Sequence, residues 1–249
     1  MTACRCLVTA HAGCLGTVPN SMANIQAALA SEADLVEVDL RATRDGVVVL
    51  AHDDSLETGG GRARIGDLDW EELRKLPHPG GEWLRLETVL DLAAGRDRVL
   101  NLDAKELAAM ILASRLLRSR GMATDAVFSG LDSVGIRVAR ENLPGFRYLF
   151  NADAEVGEGG EGEGGEGTAG IAAVCALASA SGACGVNLPW TRISASLVDY
   201  ARRRCLPVLA WTVDDGADMA KALGTGVYSI TTHRPDILAA LIRSGSQGE

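Results

Sequence analysis

Glu37 and Asp39 stand two residues apart in the run Leu35-Val36-Glu37-Val38-Asp39-Leu40. Side chains alternate along a strand, so both carboxylates face the same side. Asp103 and Lys105 repeat that spacing after the apolar run that begins at Val99, while His11 and His52 each follow a short apolar run. If those runs lie side by side in a parallel sheet, three carboxylates, two histidines and a lysine meet at one edge. Carboxylates from adjacent strands repel one another unless protonated or bridged by a cation. Three hard oxygen ligands suit Mg²⁺, Ca²⁺ or Mn²⁺ better than zinc, which favours Cys and His. Taken singly, each residue has a blander use. A histidine at a strand end commonly makes a structural hydrogen bond, Glu37 and Asp39 could pair with Arg41 and Arg44, and Asp103 with Lys105 could be an ordinary ion pair. Those separate explanations weaken when all six residues converge.

Short β-rich runs alternate with longer runs rich in Ala, Leu and Arg. Strands are expected at residues 6–10, 35–40, 47–51, 99–103, 126–129, 147–150, 185–188, 208–213 and 227–231. Helices are expected at 22–31, 69–76, 86–94, 107–120, 134–142, 169–181, 194–204 and 216–223. Alternation of this kind, with nearly continuous apolar strands, signals a parallel sheet covered by helices. Nine strands are one too many for an eight-stranded barrel. The link 41–46 is too short for a parallel crossover, and Asp45-Gly46 is a hairpin signal, so 47–51 should fold back antiparallel as an excursion. The expectation is therefore a (β/α)₈ TIM barrel with a β-hairpin excursion after the second strand, its active site at the C-terminal strand ends. An open doubly wound sheet is the alternative, but no Gly-rich phosphate fingerprint follows the first strand. With neither repeat nor domain boundary in view, 1–249 reads as a single domain, and the Gly/Glu-rich segment 157–167 as a flexible exposed loop.

Composition bounds the partners. The chain has 249 residues, 47% of them hydrophobic, and 24 Lys plus Arg against 33 Asp plus Glu, a formal charge of −9. That balance disfavours non-specific binding to nucleic acid or an anionic membrane, and an anionic substrate would need a local cation. The six cysteines include no Cys-x-x-Cys pair, so a zinc finger has little support. Neither a secretion signal nor an apolar run of about 18 residues is present, which points to a cytoplasmic protein without stable membrane insertion and with reduced thiols used mainly in packing. Oligomeric state is not legible.

The chain resembles the glycerophosphodiester phosphodiesterases, a barrel family related in layout to the spider-type sphingomyelinases D. Resemblance runs over nearly the whole chain: His11-Ala12-Gly13, Pro19-Asn20-Ser21, Ala33 to Leu40, Thr43-Arg44-Asp45-Gly46, Val49 to Asp54, Asn101-Leu102-Asp103-Ala104-Lys105, Ala210-Trp211-Thr212-Val213 and Thr231 to Asp236. Glu-x-Asp, Thr-x-Asp-Gly and His-Asp-Asp at these spacings are highly specific. The resemblance implies that Glu37, Asp39 and Asp103 bind one divalent cation, Mg²⁺ first with Ca²⁺ or Mn²⁺ as alternatives. It implies that His11 and His52 form the acid/base pair and that Lys105 adds a fixed charge beside the phosphate. Departures are informative too. The family's usual arginine after the first histidine is Ala12, its Glu-Asn-Thr after the proline is Asn20-Ser21-Met22, and its third metal ligand, usually Glu, is Asp103. The usual Gly-x-Asp before the last strand is Gly226-Val227-Tyr228, and Thr-Asp-Arg-Pro is Thr232-His233-Arg234-Pro235. Loss of a bidentate guanidinium with its neighbouring acid implies a remodelled phosphate pocket.

Secondary candidates follow from position. Trp211 at a strand end could wall the site against substrate or fill the barrel mouth, and Ser129 and Asp132 after the fourth stave could make polar contacts with substrate. His233 at the last strand's end is expected to cap the last helix, with a third active-site histidine as the alternative, and His78 within Pro77 to Gly81 to be solvated. Residues 55–87 match a family insertion over the site. The expected activity is metal-dependent hydrolysis of a small phosphodiester. Its alternative is a lyase that uses the same residues to form a cyclic phosphate or eliminate phosphate, and a non-catalytic phosphate-ligand binder stands outside the enzyme class.

Overall fold

The structure, a computed structural model, describes residues 5–59, 61–152 and 168–245. The strands are β1 (Leu7–Ala10), β2 (Leu35–Ala42), β3 (Val48–Leu50), β4 (Ser55–Thr58), β5 (Gly61–Arg64), β6 (Val99–Ala104), β7 (Ala126–Leu131), β8 (Tyr148–Asn151), β9 (Gly185–Pro189), β10 (Val208–Trp211) and β11 (Ser229–Thr232). The helices are α1 (Met22–Ala30), α2 (Trp70–Leu73), α3 (Leu86–Ala93), α4 (Leu107–Ser119), α5 (Ser133–Asn142), α6 (Thr168–Ser181), α7 (Ala195–Arg202), α8 (Gly216–Gly224) and α9 (Pro235–Gly245).

Strand order is β1-β11-β10-β9-β8-β7-β6-β2, all parallel, and β1 pairs with β2 to close the barrel. β3 lies outside that ring, antiparallel to the end of β2 with Leu40 opposite Leu50. The excursion expected from Asp45-Gly46 is therefore present, with Gly46 at φ +85° and its N–H bonded to Thr43 O at 3.0 Å.

Register fixes what the barrel interior contains. Leu35 is opposite Val99, Glu37 opposite Asn101, and Asp39 opposite Asp103, which is in turn opposite Ser129. Alternation therefore turns Leu35, Glu37 and Asp39 to the inside together with Val99, Asn101 and Asp103. At the N-terminal end Leu35, Val127, Leu149 and Leu209 pack into a separate buried cluster, with Leu7 and Val99 against it. That plug makes the lower barrel a packed core, leaving the polar inward positions for the upper half. The larger core lies between strands and helices and holds Val36, Val38 and Leu40, the outward-facing neighbours of the two acids.

Between β3 and α3 the chain builds an excursion with a core of its own, Val49, Ala51, Ile65, Leu73 and Trp83. The β4–β5 hairpin within it was not anticipated, and the helix expected over 69–76 is only the four-residue α2, capped by Asp69 and Glu72. α9, the last helix, for which no range was expected, begins at Pro235 and buries Leu238 and Ala239. Segment 157–167, expected to be a flexible loop, lies outside the described residues. No disulfide joins the described cysteines, of which Cys14 and Cys175 are buried and Cys205 is exposed. Among the described residues no helix is long and apolar enough to cross a membrane.

Candidate active site

A cavity of about 580 Å³ opens at the C-terminal end of the barrel. His11, Glu37, Asp39, His52, Asp103 and Lys105 all line it, although they come from β1, β2, the turn after β3, and β6. Glu37 and Asp39 are 5% and 4% exposed, so the alternative of surface pairing with Arg41 and Arg44 fails. Arg41 instead binds the His52 carbonyl through Nη2 at 2.9 Å and lies 3.8 Å from Glu106, while Arg44 holds Asp69 and Glu72.

One ligand atom from each of Glu37, Asp39 and Asp103 falls within 4.8 Å of the others. Burial, reinforced by the charges of Asp39 and Asp103, holds the Glu37 carboxyl well above the ordinary carboxylate range. Glu37 Oε2 accepts the Ala12 N–H at 2.8 Å, so at position 12 the backbone engages the acid. Asp39 Oδ2 accepts Asn20 Nδ2 at 2.8 Å, and the Asp39 N–H returns a bond to Asn20 Oδ1 at 3.2 Å. Asn20 sits at φ +58°, a conformation Asn tolerates better than most residues, and this aims its amide at Asp39. Lys105 Nζ bridges Asp39 Oδ1 at 2.8 Å and Asp103 Oδ2 at 2.5 Å. Burial alone would lower the Lys105 pKa, but the two carboxylates outweigh it and raise it, so this lysine stays charged.

The donor set fits a hard divalent cation. It is all carboxylate oxygen, more negative than Lys105 alone can neutralise, and Asp103 Oδ1 is buried with no hydrogen-bond partner. Gly130 leaves room for that oxygen, since a Cβ there would stand 2.2 Å from Asp103 Oδ1.

The histidines share one feature. His11 Nδ1 meets the Ala12 carbonyl at 2.9 Å and His52 Nδ1 meets Asp53 Oδ1 at 2.8 Å. Both partners are acceptors only, so each Nδ1 donates and each Nε2 is left without a partner among these contacts. Burial is the main cause lowering the His11 pKa, which keeps that ring neutral at neutral pH. His52 is much more open, with 70% of its side chain exposed.

Two expectations change. His233 does not cap α9. Its N–H and Nδ1 bond to Asp214 at 2.7 and 2.9 Å, and its ring packs edge-on against His11 with centroids 4.4 Å apart. Asp214 went unnoticed in the sequence because its partner lies 19 residues further on; the available signal was an acid just beyond the strand-end Trp-Thr-Val. His78 is half-buried rather than solvated, accepting the Gly80 N–H on Nδ1 and packing edge-on against Trp83. Ser129, 2% exposed, and Trp211 both line the cavity, and Asp132 also does so while capping α5 through Gly135 N.

Residues 11–127 match the model of the glycerophosphoryl diester phosphodiesterase family, a span that holds His11, Glu37, Asp39, His52, Asp103 and Lys105. A glycerophosphodiester phosphodiesterase of Caldanaerobacter subterraneus subsp. tengcongensis is 23% identical over 97% of this chain and 99% of its own length. Together these likenesses support the glycerophosphodiester phosphodiesterase family for this chain. Glycerophosphodiester phosphodiesterase GDPD4 of Arabidopsis thaliana is 28% identical over 95% of this chain and 73% of its own. The fold is shared with a family enzyme from Parabacteroides distasonis (TM-score 0.79, 21% identity, 98% of this chain and 99% of that one). It is shared too with an Oleispira antarctica phosphodiesterase crystallised with its product sn-glycerol-3-phosphate (TM-score 0.76, 19% identity, 96% and 97% covered). These likenesses support a phosphodiesterase-like hydrolase, with the acidic cluster as the place a metal ion could be held.

Proposed function

We propose that this protein hydrolyses a small phosphodiester of the glycerophosphodiester type, with one divalent cation, Mg²⁺ first, held by Glu37, Asp39 and Asp103. The observation that carries this reading is the meeting of three carboxylates from two adjacent strands within 4.8 Å, in a cavity that also holds two histidines. A cation bound there would neutralise charge on a non-bridging phosphate oxygen as the transition state forms. Lys105, kept charged by Asp39 and Asp103, adds a fixed positive charge beside the phosphate. The chain supplies the proton transfers. One of His11 and His52, entering neutral, takes a proton on Nε2 from the attacking water, and the other, entering as imidazolium, gives its Nε2 proton to the departing alkoxide as the P–O bond breaks. Their Nδ1 hydrogen bonds hold both rings with Nε2 available for this work. Ser129 and Trp211, on the cavity wall, contact the substrate.

Phosphorus NMR of glycerophosphodiesters incubated with protein and Mg²⁺ tests the reading. The expected products are a phosphomonoester and a free alcohol, formed only with the metal. A cyclic phosphate that persists would replace hydrolysis with the lyase reaction, and turnover unaffected by EDTA would remove the metal from the account.

A further inference from the structure

Three neighbouring strand ends carry a connected row of side chains. β10, β11 and β1 lie side by side in the barrel, and Asp214, His233 and His11 follow them in that order. Asp214 Oδ1 accepts the His233 N–H at 2.7 Å and the Thr232 hydroxyl at 3.1 Å, and Oδ2 meets His233 Nδ1 at 2.9 Å. Burial alone would raise the Asp214 pKa, but the bonds from His233 and Thr232 outweigh it and hold the carboxyl below its ordinary range. It therefore stays ionised and only accepts, so His233 Nδ1 donates to it. The backbone is tied at the same points. The His233 carbonyl takes the Leu15 N–H at 2.8 Å, and the Thr232 carbonyl takes the His11 N–H at 3.0 Å. So anchored, the His233 ring meets the His11 ring edge-on, with centroids 4.4 Å apart.

His11 needs such a neighbour. Its ring makes one hydrogen bond among the described residues, to the carbonyl of the adjoining Ala12, and a histidine ring turns about a broad two-fold torsion. A swing of that ring would misplace Nε2, the nitrogen left for proton transfer. Packing against a ring that is itself bonded removes the freedom, and productive chemistry needs its groups held within about 0.5 Å. His11 lines the cavity and His233 does not, so His233 acts through its neighbour. Position 233 is also one where the chain departs from the Thr-Asp-Arg-Pro pattern it otherwise resembles. Charged groups face His11 from three elements: His233 after β11, Asp214 after β10, and Asp39 on β2. Burial lowers the His11 pKa most, the Ala12 carbonyl opposes it, His233 adds to the lowering, and Asp39 and Asp214 oppose.

We propose that His233, anchored by Asp214, is a positioning residue that fixes the His11 ring in the orientation offering Nε2 to the phosphodiester. The inference rests on the phosphodiesterase reading above and adds to it a residue pair that acts only through His11. Kinetics and ring spectra test it together. His233→Ala is expected to lower kcat on glycerophosphocholine in Mg²⁺ by about tenfold or more, with KM changed by less than about twofold. His233→Phe keeps a packed ring without the Asp214 bond and is expected to fall between that variant and the unaltered protein. In a His11→Ala background, His233→Ala is expected to cost nothing further, because the ring it positions is gone. Only four histidines occur in the chain, so long-range ¹H–¹⁵N correlation spectra can follow each ring. His233→Ala is expected to raise the His11 titration midpoint, by opening the ring to water and removing the adjacent imidazole, and to leave that of His52 in place. A loss that adds in full to that of His11→Ala, an unmoved His11 titration, or an undiminished kcat in His233→Phe overturns the inference and leaves the phosphodiesterase reading standing. Failure of the unaltered protein to cleave any glycerophosphodiester overturns both.

Discussion

Glu37 is the residue on which the site bears hardest. Its carboxyl is buried and held well above its ordinary value near 4.5, first by burial and then by Asp39 and Asp103. Below that value both folded and unfolded chains carry the proton. As pH rises towards the folded value, the unfolded chain ionises freely, whereas the folded one must keep the proton or bury a charge. The ion-free protein therefore loses stability from Glu37 as pH rises through that interval. Glu37→Gln is expected to melt higher than the unaltered protein in EDTA at neutral pH, and to lose the increment that Mg²⁺ gives. Thermal melts with and without Mg²⁺ check both halves; a variant that melts lower in EDTA contradicts this account. His11 and His52 are expected to act through proton transfer, so replacing either by Ala should lower kcat by about 10²–10⁴ with the far-UV circular dichroism unchanged. At this scale the sequence was informative where spacing alone sets direction. Two acids separated by one residue on a strand must share a face, whereas the His233–Asp214 pair depends on two barrel loops coming together, which no local pattern reports.

Among the elements, β7 governs the site through a residue that has no side chain. Gly130 sits at φ +84° against β6, where a Cβ would stand 2.2 Å from Asp103 Oδ1 and 2.9 Å from the Ala104 carbonyl. Gly130→Ala is expected to cost about 1–3 kcal/mol of stability through backbone strain and to displace Asp103. Urea unfolding and Mg²⁺ titration of the variant measure the two effects. The excursion after β3 is held by its own small core, with Leu73 fully buried among Val49, Ala51, Ile65 and Trp83. Leu73→Ala should therefore cost about 2–5 kcal/mol, read from urea unfolding. Elements were legible where hydrophobic period was strong. β2 and α4 were located to within two residues, but the β4–β5 hairpin was hidden because Ser55–Thr58 and Gly61–Arg64 contain almost no apolar residues. α9 did carry a signal, a proline at its first position followed by Ile237, Leu238, Leu241 and Ile242, and that start went unread.

For the whole molecule, chain topology does what no segment does alone. Eight parallel strands bring residue 11 beside residue 37 and residue 39 opposite residue 103, and the apolar plug at the far end keeps the arrangement from being a pore. Counting strands, and rejecting 47–51 as a stave, was enough to anticipate closure, because the link 41–46 was too short to cross over. Beyond Ser129 and Trp211 the uncharged polar lining of the cavity was not anticipated, since Asn101, Asn151 and Asn187 read singly as ordinary polar residues within apolar runs. Closure also couples metal binding to global stability, because the three acids lie on two paired strands of the barrel. At about 100 times its dissociation constant a bound ion should add about 2.7 kcal/mol, hence roughly 5–10 °C in Tm for a chain of this size. The central claim is that Glu37, Asp39 and Asp103 together hold one divalent cation. Electron paramagnetic resonance titration of EDTA-dialysed protein with Mn²⁺ tests it most directly. One bound ion per chain, lost in Asp39→Asn and displaced by Mg²⁺, is the predicted result; undiminished binding in Asp39→Asn, or no bound ion in the unaltered protein, would contradict it.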